Sequence, residues 1–388
     1  MNGTIKLSRV THIYIILLLL LNIFSLSTVE SLRSIGRLSI QTSLISFVII
    51  FAVYLMRGYY SSKLMFVYIT VFLFIKVQII SFIVNNDSGY LLLFNVIATF
   101  IFIILSVQVK WDRYLFIGLG YVISLLIILL FIDWNTAQYT THRFQSIFRN
   151  PNALAIFIFC SLYYQIMAAY AVKKIALKIY FLLILSVSIV LLLFTNSRSV
   201  LIAIGIIIIV TIVQMYKPRI LKYLFLAAMF FNASFLFIYV KLYNTAIGDF
   251  INNISLALFD KNFFSGREDI WYNVWQHIEQ SFLIGFGISA NARSLNESGY
   301  TTHNQYLQTF LETGILGFIV FVFFLFAIWR LLLNSQNSLE GRLSTSFFIG
   351  ILIYSSFELT LFQNNFQIGL LQWAIIATGI DLRNKRNN

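Results

Sequence analysis

The sequence predicts an all-α, polytopic integral membrane protein, and three observations carry that prediction. Hydrophobic residues make up 60% of the 388-residue chain and charged residues only 11%, where water-soluble domains carry about 25% charge. Mean hydropathy is +0.86. The apolar residues fall in runs of about 20, the length a helix needs to cross a hydrocarbon core, and too long for the roughly 10-residue alternating strands of an outer-membrane barrel.

Taken in order, segments near 12–28, 39–56, 64–84, 90–109, 114–132, 152–172, 177–195, 199–216, 220–240, 304–329, 344–361 and 366–380 read as about twelve transmembrane helices. The first follows Lys6 and Arg9 without a small-residue cleavage site, so it reads as an uncleaved anchor. The sixth begins at Asn150-Pro151-Asn152, with Pro151 suited to the first helical position. The segments group into helices one to nine over 1–240, a large external loop over 241–303, and helices ten to twelve over 304–388.

Basic residues gather in alternate connections: Arg57 and Lys63, Lys110 and Arg113, Lys173 and Lys174, Lys217 and Arg219, Arg330 and Arg342. With Lys6 and Arg9 at one end and Arg383, Lys385 and Arg386 at the other, the positive-inside rule puts both termini in the cytoplasm. The acids lean to the other side. The net charge of +13 is therefore a topology signal that also attracts anionic lipid, and no nucleic-acid partner is expected. The one cysteine, Cys160, lies in a predicted helix as a small buried hydrophobe.

Long loops are commonly functional, which directs attention to 241–303. Ser265-Gly266-Arg267-Glu268 reads as a capping box. Ile270, Trp271, Val274, Trp275, Ile278 and Phe282 follow at helical spacing, predicting an amphipathic helix near 266–282 across the outer mouth of the bundle. Arg267 stands in its first turn, where the helix dipole already favours an anion; it either binds phosphate or pairs with Glu268 or Asp269. Arg198 at a helix junction is a functional candidate or a snorkelling arginine, and Arg143 and Arg149 flank the sixth helix in the same way. Asn152 is placed to cap that helix, bind sugar hydroxyls, or both. His142 and His277 read as backbone-bonded histidines, and Lys76, Glu312 and Glu358 as intramembrane charges that need partners, Glu312 by a structural pairing inside the bundle.

His303-Asn304 precedes Gly314-Ile315-Leu316-Gly317 by nine residues. On a continuous helix His303, Phe310, Gly314 and Gly317 would share a stripe about 40° wide, with the imidazole above a shallow groove. The glycines would serve a carrier-lipid tail there or close helix packing.

His-Asn and Gly-x-x-Gly at this spacing resemble the signature of O-antigen ligases and polysaccharide polymerases of the Wzy and WaaL type. Three further pieces are similar to family segments in the family's order. Arg143 to Asn152 resembles its Arg…Asn-Pro-Asn stretch, with Ser146 where a glycine is usual; the others are Thr195-Asn196-Ser197-Arg198-Ser199 and Gly266-Arg267-Glu268-Asp269-Ile270-Trp271, and Gly285-Phe286-Gly287 accompanies them. The resemblance implies a GT-C-like glycosyltransferase of the bacterial cytoplasmic membrane, working on its outer face. Such an enzyme takes a glycan from an undecaprenyl-diphosphate-linked donor to a sugar-hydroxyl acceptor, with inversion and with neither metal nor other cofactor.

On that reading Arg198 and Arg267, helped by Arg143 or Arg149, hold the diphosphate, because guanidinium forks suit it, and His303 takes the acceptor's proton. Asn152, Asn304, Trp271, Gly314 and Gly317 complete the expected substrate contacts. Polymerisation of repeat units is favoured over ligation to a final acceptor, because no region resembles an appended protein-acceptor domain. A flippase and a chain-length regulator are the partners the resemblance implies. A transporter of lipid-linked sugars is the contrasting expectation, weakened by the absence of a visible inverted repeat and by only 2 prolines.

Overall fold

A computed structural model describes residues 9–58, 61–136, 143–243, 245–260, 262–264, 266–292, 301–362 and 365–382 of the chain. Among them Ser27 and Phe148 form an isolated bridge, no strand is present, and the structure is dominated by helices.

The helices, in order, are α1 (Arg9–Leu21), α2 (Glu30–Met56), α3 (Met65–Val84), α4 (Tyr90–Gln108), α5 (Arg113–Thr136), α6 (Pro151–Ala171), α7 (Ile175–Phe194), α8 (Arg198–Tyr216), α9 (Leu224–Leu242), α10 (Ala246–Phe259), α11 (Arg267–Gln280), α12 (Gln305–Leu333), α13 (Leu339–Tyr354) and α14 (Phe366–Thr378). Among the described residues nine helices are long and apolar enough to cross a membrane. The other three expected spans differ: α1 turns into a tight 3₁₀ stretch at Asn22–Leu26, and α13 and α14 have 16 and 13 residues. The expected helix over 344–361 stops at Tyr354, which leaves Ser355 to Phe362 as a connecting segment. The expected loop over 241–303 holds α10 as well as α11.

α6 and α14 sit at the centre. Nearly all of their side chains are buried, as expected of helices apolar all round. The outer helices α2, α3, α5, α7, α8 and α9 leave Ile, Leu and Phe side chains exposed, a surface matched to lipid. Between these layers Phe362 packs on Phe74, Phe100 and Trp373 with ring centroids 6.2, 5.2 and 6.1 Å away. Trp373 Nε1 also donates to Leu361 O at 2.8 Å. The loop after α13 is thus anchored in an aromatic core, four residues beyond Glu358.

Hydrogen bonds gather the connections at one end of the bundle. Phe144 N–H donates to Phe194 O at 2.9 Å, Arg149 N–H to Leu26 O at 3.1 Å, and Gln305 N–H to Ser355 O at 2.8 Å. At the opposite end His12 lies 3.1 Å from Asp112, and Asp381 N–H donates to Ser335 Oγ at 3.0 Å.

The expected His303-to-Gly317 stripe does not form. α12 starts only at Gln305, and Gly314, at φ 62° and ψ −167°, breaks it. Residues 282–287 dock into that break: Ile315 N–H donates to Phe282 O at 2.8 Å, Phe286 N–H to Leu311 O at 2.9 Å, and Gly287 N–H to Glu312 O at 3.1 Å. A Cβ on Gly314 would stand 2.3 Å from Leu283 C, and one on Gly285 2.6 Å from Glu312 C. Gly314 therefore faces backbone rather than an open groove, and a Cβ on Gly317 would meet Thr313 of the preceding turn. Gly314 thus admits a backbone segment, in place of both the expected carrier-tail groove and the expected close packing on another helix. Irregular backbone amid apolar helices is sustained because its polar groups find partners within the protein.

Candidate active site

The cluster at the connected end is built around Glu358. Its Oε2 lies 3.1 Å from His303 Nδ1, its Oε1 accepts from Asn152 Nδ2 at 3.1 Å, and Arg267 Nη2 stands 3.6 Å from Oε1. Asn152 Oδ1 in turn accepts from Arg143 Nη2 at 2.8 Å. Arg198 lies within electrostatic reach of both Arg143 and Arg267, and its Nη1 donates to Ser255 Oγ on α10 at 2.6 Å.

Each side chain is presented by local structure the sequence explains. Asn150 caps α6, its Oδ1 accepting from Ala153 N–H at 2.8 Å, with Pro151 following. Asn152 is therefore free of the capping role and bridges Arg143 to Glu358. Arg143 is steadied from its other edge, where Nε donates to Thr195 O at 3.0 Å. Thr195 opens the tight turn between α7 and α8, in which Asn196 takes φ 48°, a conformation asparagine tolerates better than most residues. That turn delivers Arg198 as the first residue of α8.

Ser146, standing where a glycine is usual, also takes a positive φ of 48°; its hydroxyl donates to Asp133 Oδ2 at 2.6 Å. The glycine preference at this position is a backbone preference.

His303 has φ 47°, which costs a non-glycine residue about 1–2 kcal/mol. Its neighbours hold it there. Trp271 Nε1 donates to Thr302 O at 2.7 Å, and Asn304 Oδ1 caps α12 by accepting from Leu307 N–H at 3.0 Å. Strained backbone of this kind collects at functional sites. Asn304 and Trp271, expected as substrate contacts, are buried to 0% and 1% exposure and hold the chain around His303.

At α11 the expected capping box gives way to Gly266 at the cap position with φ 79° and no side-chain cap; Ser265, like His142, lies outside the described residues. Arg267 pairs with Glu358 rather than with Glu268 or Asp269. Arg149, offered with Arg143 as a diphosphate ligand, is exposed and shares none of the described contacts around Glu358; Arg143 has the inward place. Of the remaining candidates, His277 Nδ1 meets Asn273 O at 2.9 Å, Gln308 donates to Glu312 Oε1 at 2.8 Å, and Lys76 is exposed on α3.

Glu358 itself was legible only as an intramembrane charge in need of partners. A lone acid at apparent membrane depth is a functional candidate by default, and that signal would have found it. Burial acts to raise its carboxyl pKa. The hydrogen bond and charge of His303, the charge of Arg267 and the Asn152 hydrogen bond outweigh burial and hold it below the usual carboxylate range. Burial and the Arg198 charge push Arg143 down, with Glu358 opposing. Two guanidiniums, Arg143 and Arg267, thus share one carboxylate, and Arg198 adds a third positive charge beside them, an arrangement that favours a visiting anion.

Next to this cluster a cavity of about 710 Å³ opens between α9, α11 and α12, lined by Met229, Leu236, Phe237, Trp271, Trp275 and Phe310 among others. It is almost wholly apolar. Charged head and apolar channel meet along α11, which supplies Arg267 to one and Trp271 to both.

Residues 181–322 match the Wzy_C family model, described as O-antigen ligase. Over that stretch, less than half of the chain, the protein is similar to the O-antigen ligase family, and the match supports an assignment among O-antigen ligases and polymerases. It indicates glycosyl transfer on a lipid-linked glycan in a membrane setting. Comparison with curated proteins gave no match. Arg198, Arg267 and His303 fall inside the matched segment, whereas Arg143, Asn152 and Glu358 lie outside it.

Proposed function

We propose that this protein polymerises glycan repeat units carried on undecaprenyl diphosphate, at the outer face of a bacterial cytoplasmic membrane. The observation that carries the reading is that Arg143 and Arg267 face the His303–Glu358 pair, with Arg198 beside both arginines, next to an apolar cavity able to take a prenyl tail. The guanidiniums bind the diphosphate and stabilise the charge it gains on leaving. In its neutral form, with Nδ1–H donated to Glu358, His303 presents an unprotonated Nε2, and the carboxylate fixes that tautomer. Nε2 accepts the proton of the acceptor hydroxyl as its oxygen bonds to the anomeric carbon, and the bond from that carbon to the diphosphate oxygen breaks. Attack opposite the leaving group inverts the anomeric centre.

The description of the matched family as O-antigen ligase favours a second reading, in which the same chemistry transfers a finished chain to a final acceptor. The glycan profile of cells lacking the protein separates the two. Accumulated carrier-linked single repeats, cured by the wild-type chain and not by His303→Ala, are expected of a polymerase. Long carrier-linked chains that never reach their acceptor would replace it with a ligase. No carrier-linked glycan at the outer face would replace both with transport.

A further inference from the structure

A second carboxylate, unused by that mechanism, lies beside the cluster. Glu268 follows Arg267 in the first turn of α11 and is only 5% exposed. Its Oε2 is buried and has no hydrogen-bond partner among the described residues. Buried acceptors are nearly always satisfied, and each exception calls for a reason. The N-terminal dipole of α11 makes a negative charge tolerable there but supplies no donor to Oε2.

Its direction follows from helix geometry. At about 100° per residue, the cavity-lining residues Trp271, Tyr272 and Trp275 span an arc of α11, and Glu268 falls within that arc one turn nearer the helix start. On the same flank of it Arg267 reaches Glu358 at 3.6 Å and the Trp271 indole reaches Thr302, next to His303. Glu268 therefore stands at the junction of the apolar cavity and the cationic cluster, where a carrier-linked substrate changes from prenyl tail through diphosphate to its first sugar. A carboxylate repels the diphosphate and pairs well with a sugar hydroxyl or an amide N–H.

We propose that Glu268 accepts a hydrogen bond from a hydroxyl or amide N–H of the sugar attached to the diphosphate, making it a residue that selects glycosylated over bare carrier. The proposal rests on the glycosyl-transfer reading above.

The test measures binding to the full chain in lipid nanodiscs with two probes: undecaprenyl diphosphate, and the carrier-linked repeat extracted from cells lacking the protein. A hydrogen bond to a charged group is lost in the variants, so the wild-type chain should hold the glycosylated form about tenfold or more tighter. Glu268→Gln and Glu268→Ala should cut that preference to about threefold or less with affinity for bare carrier unchanged. Arg267→Lys should weaken both probes together. An unchanged preference in both Glu268 variants, a parallel loss of both probes in them, or no preference in the wild-type chain would overturn the assignment. Failure of the wild-type chain to bind either probe would instead overturn the glycosyl-transfer reading itself.

Discussion

Replacing Glu358 by Gln removes one charge from the centre of the cluster with little change of shape. At 3.6 Å and an effective dielectric of about 20, the Arg267–Glu358 attraction is about 4–5 kcal/mol, part of which is offset by desolvation. Breaking a buried pair by removing one partner typically costs about 3–5 kcal/mol, so the variant should unfold at a distinctly lower temperature. Its catalytic defect should be separate from that loss. The neutral amide no longer fixes the His303 tautomer or steadies the imidazolium that forms, and a positioned base is worth about 10²–10⁴-fold.

Initial rates of glycan transfer from carrier-linked donor, measured below the unfolding range, should show kcat reduced about 10²-fold or more. KM should change little, because the three arginines remain. If Glu358 acts through His303, the double variant with His303→Ala should be no slower than His303→Ala alone. A folded Glu358→Gln protein turning over within about threefold of wild type would refute the reasoning.

Three further outcomes follow from the same geometry. Because the Glu358 carboxyl is held below the usual range, the charged arrangement is complete above that range and is lost as pH falls through the depressed value. Asn152→Ala deletes a hydrogen bond that lowers it, so acid-induced unfolding should set in at higher pH; an unmoved acid transition would dissociate Asn152 from the carboxylate. Arg267→Lys keeps the charge and loses the paired donors, and should slow transfer about 10²-fold, a drop that near-normal rates would contradict. Gly314→Ala forces a Cβ to 2.3 Å from Leu283 C at φ 62° and should destabilise the protein by at least about 2 kcal/mol, measured as a shift of the thermal midpoint in detergent.

Much of this architecture was readable from periodicity and composition, because a spanning helix must satisfy its own backbone and fill about 20 apolar positions. That constraint fails for short buried elements. Leu339–Tyr354 and Phe366–Thr378 are enclosed by protein, so their length is set by neighbours and not by the bilayer. The same limit turned the loop carrying Glu358 into a supposed extension of helix. At the cluster, residue type and local context pointed to Arg198, Arg267 and His303, but choosing between Arg143 and Arg149 needed the side-chain direction that the turn at Ser146 sets. The break at Gly314 stayed hidden for a related reason. A glycine in an apolar run looks the same whether it packs against a helix or admits a loop, and only the docked 282–287 segment distinguishes the two.

The position of Glu358 bears on modularity. The segment that matches the family supplies most of the positive charge of the cluster, while the negative charge at its centre arrives from a loop 36 residues beyond the matched boundary at residue 322. Asn152 and Arg143 come from the other side of it. A fragment cut at 181 and 322 would carry Arg267 and His303 without their shared counterion, and Arg198 without its Arg143 neighbour, so the matched stretch is not a portable catalytic unit. Chimeras between such proteins should exchange the 143–152 segment and the Glu358 loop together with it.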